Sequence, residues 1–269
     1  MNVRENIVGF KKGPNKGWIY MTDQHAGFLF DKLDEFWAAI ADARSTEEEV
    51  DFITVLIRLD GLVLDLCCGS GRHSISLSNK GMDVVGLDVS AKLLKIAKTR
   101  QRERNSAASF VRGEMRHLPF RKGVFVAAIS MFTSYGYLPS IEEDLKSMNE
   151  VAVTLKQDGQ FLIDVANREH LIEVFKKKDW GEFPGFFMLE RRSLNAKQSR
   201  LRSRWILIDK KSGRERIFHH DLRLYSYQQL RSMFDKIGMR IEGAYGGYDS
   251  KQQFSEKAAR LILLAKKAP

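Results

Sequence analysis

The stretch Val63-Leu-Asp-Leu-Cys-Cys-Gly-Ser-Gly71-Arg-His73 passes from a short apolar run through two glycines into residues of helical character. Strand, tight turn and helix in that order make the first crossover of an open α/β sheet, where backbone N–H groups are free to meet a ligand. The same rhythm continues downstream. Short apolar runs at 62–66, 84–87, 109–112, 124–130 and 160–165 predict strands, and helices are predicted over 72–79, 91–104 and 141–155. Buried strands alternating with helices imply a parallel sheet covered on both faces.

Upstream of the glycine turn, Leu29, Leu33, Phe36, Trp37 and Ile40 recur at helical spacing and predict a helix over 22–43. Ser45 followed by Glu48 is a capping-box pattern and opens a second helix over 45–59. From residue 186 the period becomes two, with Leu201, Ser203, Trp205 and Leu207 alternating with Arg202, Arg204, Ile206 and Ile208. A three-stranded antiparallel meander is expected over 186–195, 201–209 and 214–225. A helix over 226–237 and strands at 239–245 and 260–265 bring the main sheet to seven strands. The expected organisation is a doubly wound, mostly parallel α/β domain over 61–182 and 226–269, a helical cap over 1–60 and an antiparallel β insertion over 183–225.

Composition excludes several classes. In 269 residues, 43% are hydrophobic and 29% charged, an ordinary globular balance. The longest nearly apolar run, 124–132, is far shorter than the ~18 residues that cross a bilayer, so no membrane association is expected. The two cysteines, Cys67 and Cys68, are adjacent, which leaves no disulfide framework and no metal ligand set. With no apolar leader, a cytoplasmic setting is expected. The net charge of +10 is uneven: residues 189–223 carry eleven basic and four acidic side chains, whereas residues 1–60 carry seven and eleven. A phosphate-bearing partner would be attracted to the basic stretch, which serves equally as a solvated face.

Gly69 and Gly71 stand where backbone must approach a ligand closely, and Asp88, ending the second strand, can accept both hydroxyl protons of a ribose. Asp65 lies at the end of the first strand. Ser74 replaces the third glycine of a dinucleotide fingerprint, and Glu114, after the third strand, suits the exocyclic amine of an adenine. One adenosine with an amino-acid tail fits these residues better than two nucleotides.

Taken together, the motifs resemble those of the class I S-adenosylmethionine-dependent methyltransferases. Residues 63–73 resemble their first motif, Gly86-Leu-Asp88-Val-Ser the second, Gly113-Glu-Met-Arg-His-Leu-Pro119-Phe the segment at the adenine, and Leu155-Lys-Gln-Asp-Gly159 the turn before the fifth strand. Ser130-Met-Phe-Thr-Ser-Tyr-Gly-Tyr-Leu138 and the strand insertion resemble the branch with sugar-amine and glycine or sarcosine N-methyltransferases. The resemblance implies a Rossmann-like methyltransferase fold and S-adenosylmethionine as cofactor. It implies that Gly69 and Gly71 bear the methionine part, with Asp65 nearby, and that Asp88 and Val89 hold the ribose. Glu114 and Met115 would flank the adenine, Ser130 and Met131 would line the transfer centre, and Tyr20 would close over the cofactor.

For an amine acceptor the chemical demand is a neutral nitrogen, and His220 and Tyr135 are the candidate catalytic groups. Alternation places His220 on one strand face with Phe218 and Leu222, and His219 with Asp221 on the other. Arg223 and Tyr225 are candidates for binding an acceptor carboxylate or phosphate. Phe28, Phe30, Phe36, Trp37, Tyr135 and Tyr137 are candidates for excluding water. The fourth strand is not followed by an Asn/Asp-Pro-Pro-aromatic turn, and no cysteine lies downstream to attack a pyrimidine. A small-molecule N or O acceptor is therefore expected. The alternatives are an RNA-modifying enzyme using Arg191, Arg192, Arg200, Arg202, Arg204 and Trp205 as platform, a nicotinamide oxidoreductase, and a non-catalytic scaffold. The inserted sheet is equally suited to a homodimer contact.

Overall fold

A computed structural model describes residues 26–58 and 60–268, so Tyr20 lies outside the described residues. Strands β1 (Val63–Leu66), β2 (Val84–Asp88), β3 (Ser109–Arg112), β4 (Phe125–Ser130), β5 (Leu155–Ala166), β10 (Met239–Tyr245) and β11 (Arg260–Lys267) form one sheet in the order β10-β11-β5-β4-β1-β2-β3. Only β11 runs against its neighbours. The register Val63↔Val84 and Val63↔Ala127 places β1 centrally, and all four of its residues are buried. A strand apolar on both sides in sequence is one covered on both faces. The expected seven-stranded, doubly wound sheet is therefore the observed one.

Helices α3 (Arg72–Asn79), α4 (Ala91–Glu103), α5 (Ile141–Thr154), α6 (Arg168–Glu173) and α7 (Tyr227–Lys236) join these strands. Ser90, Ser140 and Ser226 cap α4, α5 and α7 by accepting N–H bonds from Leu93, Glu143 and Gln229, which satisfies donors that the first turn leaves free. One face of the sheet packs Phe125, Phe161 and Ile163 against Met148, Val151, Leu230 and Phe234 of α5 and α7. The other packs Val63, Ala127 and Leu162 against Val50, Phe52 and Ile53. Those last three belong to α2 (Thr46–Leu56), which Ser45 caps as its sequence predicts.

The second sheet differs from expectation. It has four strands, β6 (Lys178–Phe183), β7 (Phe186–Asn195), β8 (Arg200–Asp209) and β9 (Glu215–Arg223), in sequential antiparallel order. The strand before the expected three, Lys-Asp-Trp-Gly-Glu-Phe, alternates too weakly in polarity to be read, and backbone pairing with β7 makes it. It lies mostly in the stretch assigned to the α/β domain.

Helix α1 (Ala26–Asp42), kinked at Asp34, fills the space between the two sheets. Its Leu33, Phe36 and Trp37 pack on Phe186, Trp205, Leu207 and Phe218 of the second sheet, while Asp42 pairs with Arg100 and Asp34 with Lys92 on α4. The two helices of the expected cap thus serve different partners. A buried charge joins them to the rest: Glu49, 1% exposed, contacts Arg72 and lies 2.9 Å from Arg44 Nε and 2.7 Å from His73 Nε2. Burial alone would raise this carboxyl, but His73, Arg72 and Arg44 more than reverse that and hold it at about 2. Because the folded value lies below the ordinary 4.5, its stabilisation is present above pH 4.5 and is lost as pH falls toward 2. Glu49→Gln leaves two guanidinium groups without their carboxylate and should cost about 3–5 kcal/mol, read as a lower denaturant midpoint at pH 7 that converges on wild type in acid.

Candidate functional site

A cavity of about 990 Å³ opens at the carboxyl ends of β1, β2 and β4 and reaches the second sheet. Its floor at one end is the turn after β1. Cys67, Gly69 and Gly71 all take positive φ there, at 59°, 55° and 76°. Gly69 lines the cavity, and a Cβ on it would meet only Leu93, at 3.9 Å, so the absent side chain leaves the backbone open to a ligand. Gly71 has a different duty from the one expected. A Cβ there would stand 2.7 Å from Phe110 and 2.9 Å from Ala97, so this glycine lets α3 pack against β3 and α4, and it does not line the cavity.

Asp88 lies at the mouth of β2, 7% exposed, and its two oxygens accept from Gly69 N and Ser90 N at 2.8 Å each. A carboxylate has about four acceptor positions, so a pair remains for a diol. Burial raises this group to about 6 against the opposing hydrogen bonds of Ser90 and Gly69. Val89, Glu114, Met115 and Met131 also line the cavity. Glu114 accepts from Arg116 Nε at 2.8 Å and Arg116 N at 3.2 Å, which fixes its carboxylate at the rim. The donor set fits an adenosine with an amino-acid tail: open backbone at Gly69, a carboxylate with spare acceptors at Asp88, and a thioether wall at Met115.

The other expected residues stand elsewhere. Asp65 is buried behind the turn and accepts from Ser74 Oγ at 2.5 Å, tying α3 to β1. Ser130 is buried and does not line the cavity. Tyr135, a candidate catalytic group, is enclosed in the core with its hydroxyl 3.2 Å from Ser147 Oγ, because the chain after β4 turns inward at Tyr135 and outward at Tyr137. Arg223 and Tyr225, the candidate acceptor ligands, converge on buried Asp144 at 3.3 and 2.6 Å and also lie outside the cavity. They join β9 to α5.

His220 does line the cavity, from the inner face of β9 beside Phe218 and Leu222 as the alternation predicts. Its ring stacks on Trp205 with centroids 4.7 Å apart, and Nε2 lies 2.9 Å from the Tyr137 hydroxyl. Burial lowers it to about 4, with Asp221 acting weakly in the opposite sense. It is therefore a neutral hydrogen-bonding group at neutral pH and a poor base. Phe30, Trp37, Phe132 and Tyr137 form an edge-and-face aromatic wall around it. Phe36 packs instead on Phe186.

Sequence reasoning missed Phe132 and Thr133. Both have positive φ, 59° and 61°, a conformation neither residue favours. Phe132 N donates to Asp164 at 2.9 Å, Arg260 Nε holds the same carboxylate at 2.7 Å, and Tyr248 donates to it at 2.9 Å. Nothing local signals this, since the partners are up to 128 residues apart in the chain. Arg72 and His73, also lining the cavity, are held by Glu49 in the same long-range way. Tyr135→Phe should lower stability by about 1 kcal/mol, the lost bond to Ser147, in a denaturant titration, and leave ligand binding in the cavity unchanged; weakened binding would return Tyr135 to the site.

Residues 63–159 match the family described as a methyltransferase domain. A glycine/sarcosine N-methyltransferase of Parasynechococcus marenigrum is 30% identical over 156 residues, 56% of this chain and 55% of that one; the chain spans about half the length of the curated relatives it matches. In structure, the CcbJ methyltransferase of Streptomyces caelestis superposes with a TM-score of 0.78 at 18% identity, over 93% of this chain and all of that one. The sugar N-methyltransferase KedS8 of Streptoalloteichus superposes at 0.68 with 17% identity, over 94% and 98%. Among the described residues, no helix is long and apolar enough to cross a membrane. Residues 63–159 thus carry a methyltransferase domain, and with the glycine turn, Asp88 and the seven-stranded sheet in place the chain has the fold of solved S-adenosylmethionine-dependent methyltransferases.

Proposed function

We propose that the chain transfers a methyl group from S-adenosylmethionine to a nitrogen of a small acceptor held between the glycine turn and the second sheet. The observation that carries this reading is the single cavity wall. An adenosine-type end at Gly69, Asp88 and Met115 runs, by way of Met131 and Phe132, into an aromatic end at Phe30, Trp37, Tyr137 and His220. The glycine/sarcosine and sugar N-methyltransferases among its relatives and structural neighbours support nitrogen as the accepting atom.

The cofactor brings an already activated methyl group, so the chain's task is placement. Gly69 would meet the amino-acid end with open backbone, Asp88 and Val89 would hold the ribose, and Glu114 with Met115 would border the adenine. Holding an acceptor in line is worth up to ~7–11 kcal/mol. The aromatic wall excludes water, and the Tyr137–His220 pair offers a neutral hydrogen-bonding edge that orients the acceptor. With its value near 4, His220 takes no proton near pH 7, so an acceptor amine that meets it has to arrive neutral.

Isothermal titration with S-adenosylhomocysteine, and mass analysis of glycine, sarcosine and amino sugars incubated with the cofactor, test the reading directly. Binding of NADH in place of the homocysteine compound would overturn it. Asp88→Ala should cost about 1–3 kcal/mol of cofactor affinity. Affinity of the wild type should also fall as pH drops through about 6, where Asp88 gains its proton and can no longer accept two hydroxyls. At saturating cofactor, kcat/KM should rise with pH along a single limb set by the acceptor amine. A second inflection between pH 6 and 7 that disappears in His220→Asn would make His220 a base after all.

A further inference from the structure

The second sheet holds a charge arrangement that folding alone does not favour. The register sets Lys178 beside Arg191, Arg191 beside Arg204 and Arg204 beside His219, a basic row that crosses all four strands. Like charges directly opposite one another on neighbouring strands weaken a sheet. Among the described residues, none of these four side chains forms an ion pair. Two residues farther along the same face, Asp221 is shared by Arg200 and Arg202, at 3.0 and 3.2 Å. Arg192, on the other face, has carboxylates of its own in Asp179 and Glu190, at 3.0 and 3.5 Å.

Arg191, Arg200, Arg202 and Arg204 thus share one carboxylate, which leaves three positive charges uncompensated. All four, with His219 and Asp221, line the cavity that also holds Gly69 and Asp88. The cavity is therefore polarised, with the carboxylates of Asp88 and Glu114 at the turns after β2 and β3 and unpaired guanidinium groups on β7 and β8. A solvated face would not explain an uncompensated cluster gathered in a cavity wall. Arginine presents a rigid fork of donors that matches the oxygens of a phosphate group. A carboxylate would neutralise one charge of the three, whereas a phosphate ester carries about −1.5 to −2 near neutral pH, and a diphosphate carries more. A nucleic-acid strand fits less well. Along the strands the basic row gives way to Trp180, Leu189, Ile206 and Ile217, and then to Glu182 and Glu215, so no basic track continues over the surface.

We propose that Arg191, Arg202 and Arg204 form a phosphate subsite of the cavity, and that the methyl acceptor is a small amine bearing a phosphate or diphosphate group. This rests on the reading of the cavity as a methyl-transfer site. The acceptor's anionic end would meet the arginines, and its neutral amine would lie at the aromatic wall of Phe30, Trp37, Tyr137 and His220.

Isothermal titration of the full chain with pyrophosphate, inorganic phosphate and acetate, at one ionic strength and with S-adenosylhomocysteine bound, reads the subsite itself. Pyrophosphate should bind most tightly and acetate least. Arg191→Gln, at an exposed position, and Arg204→Gln, at a half-buried one, should each weaken pyrophosphate by about tenfold or more. Neither should change S-adenosylhomocysteine affinity, and thermal unfolding should stay level or rise as like-charge repulsion is relieved. Arg231→Gln, exposed on α7, should change nothing. In methyl transfer, glucosamine 6-phosphate should exceed glucosamine in kcat/KM by about tenfold or more, and aminoethyl phosphate should exceed aminoethanol likewise, with both preferences lost in Arg204→Gln. Pyrophosphate that does not bind, or binds equally well to both glutamine variants, overturns the proposal, and so does equal methylation of free and phosphorylated amines. Single-stranded RNA that displaces pyrophosphate with steep salt dependence overturns it in favour of nucleic acid. Absence of S-adenosylhomocysteine binding, or of transfer to every amine, sinks the methyl-transfer reading instead, and the pyrophosphate titrations of the free chain then still decide whether the subsite exists.

Discussion

Asp88 is a carboxylate buried where two crossover turns meet, and its two oxygens hold Gly69 N from one turn and Ser90 N from the other. Burying a charge is unfavourable, and the rise to about 6 measures how much two hydrogen bonds fail to offset. A folded-state value above the ordinary 3.8 means that stability falls as pH rises from 3.8 to about 6 and stays lower above that, where the buried group is ionised. The residue is thus poorly chosen for stability and well chosen for a ligand that supplies further donors. Asp31 reinforces the junction from α1, accepting from Ser90 Oγ at 2.5 Å.

Three other buried carboxylates pair with arginines inside the protein. Glu49 pairs with the nearby Arg44 and with Arg72, while Asp144 and Asp164 pair with Arg223 and Arg260 from distant segments. Each fastens an element bordering the cavity, namely α3, the end of β9 and the turn after β4. Their satisfied networks keep that turn in the conformation that exposes Phe132 and buries Tyr135. The guanidinium of Arg44 lies 4.9 Å from the Phe132 ring centroid and that of Arg72 5.7 Å, so cation–π contacts add to the stack of that ring with Trp37.

The aromatic end of the cavity is therefore assembled from three sources that meet only in the folded chain: α1, the turn after β4 and the second sheet. The stack of Trp37, Trp205 and His220 crosses two of them. That end joins the aromatic wall to Arg191, Arg192, Arg200, Arg202 and Arg204 of β7 and β8, which line the same cavity.

Most of the fold was legible because its signals are local. Periods of two and 3.6, serine caps and a glycine turn are all set within a few residues, so the seven strands and their helices could be read in order. The first turn and Asp88 were legible for the same reason. Strand β6 was not, because its polarity hardly alternates and only pairing with β7 makes it a strand. Tyr135, Arg223 and Tyr225 were misplaced because residue type declares a capacity for chemistry and not a direction. Whether a tyrosine after β4 faces core or cavity depends on a backbone held by Asp164 and Arg260 from the far end of the chain. By itself the sequence determined the doubly wound sheet and the cofactor turn, where short-range spacing suffices. Only the tertiary structure decided which side chains meet at the aromatic end of the cavity, since buried charge pairs between distant segments set their orientation.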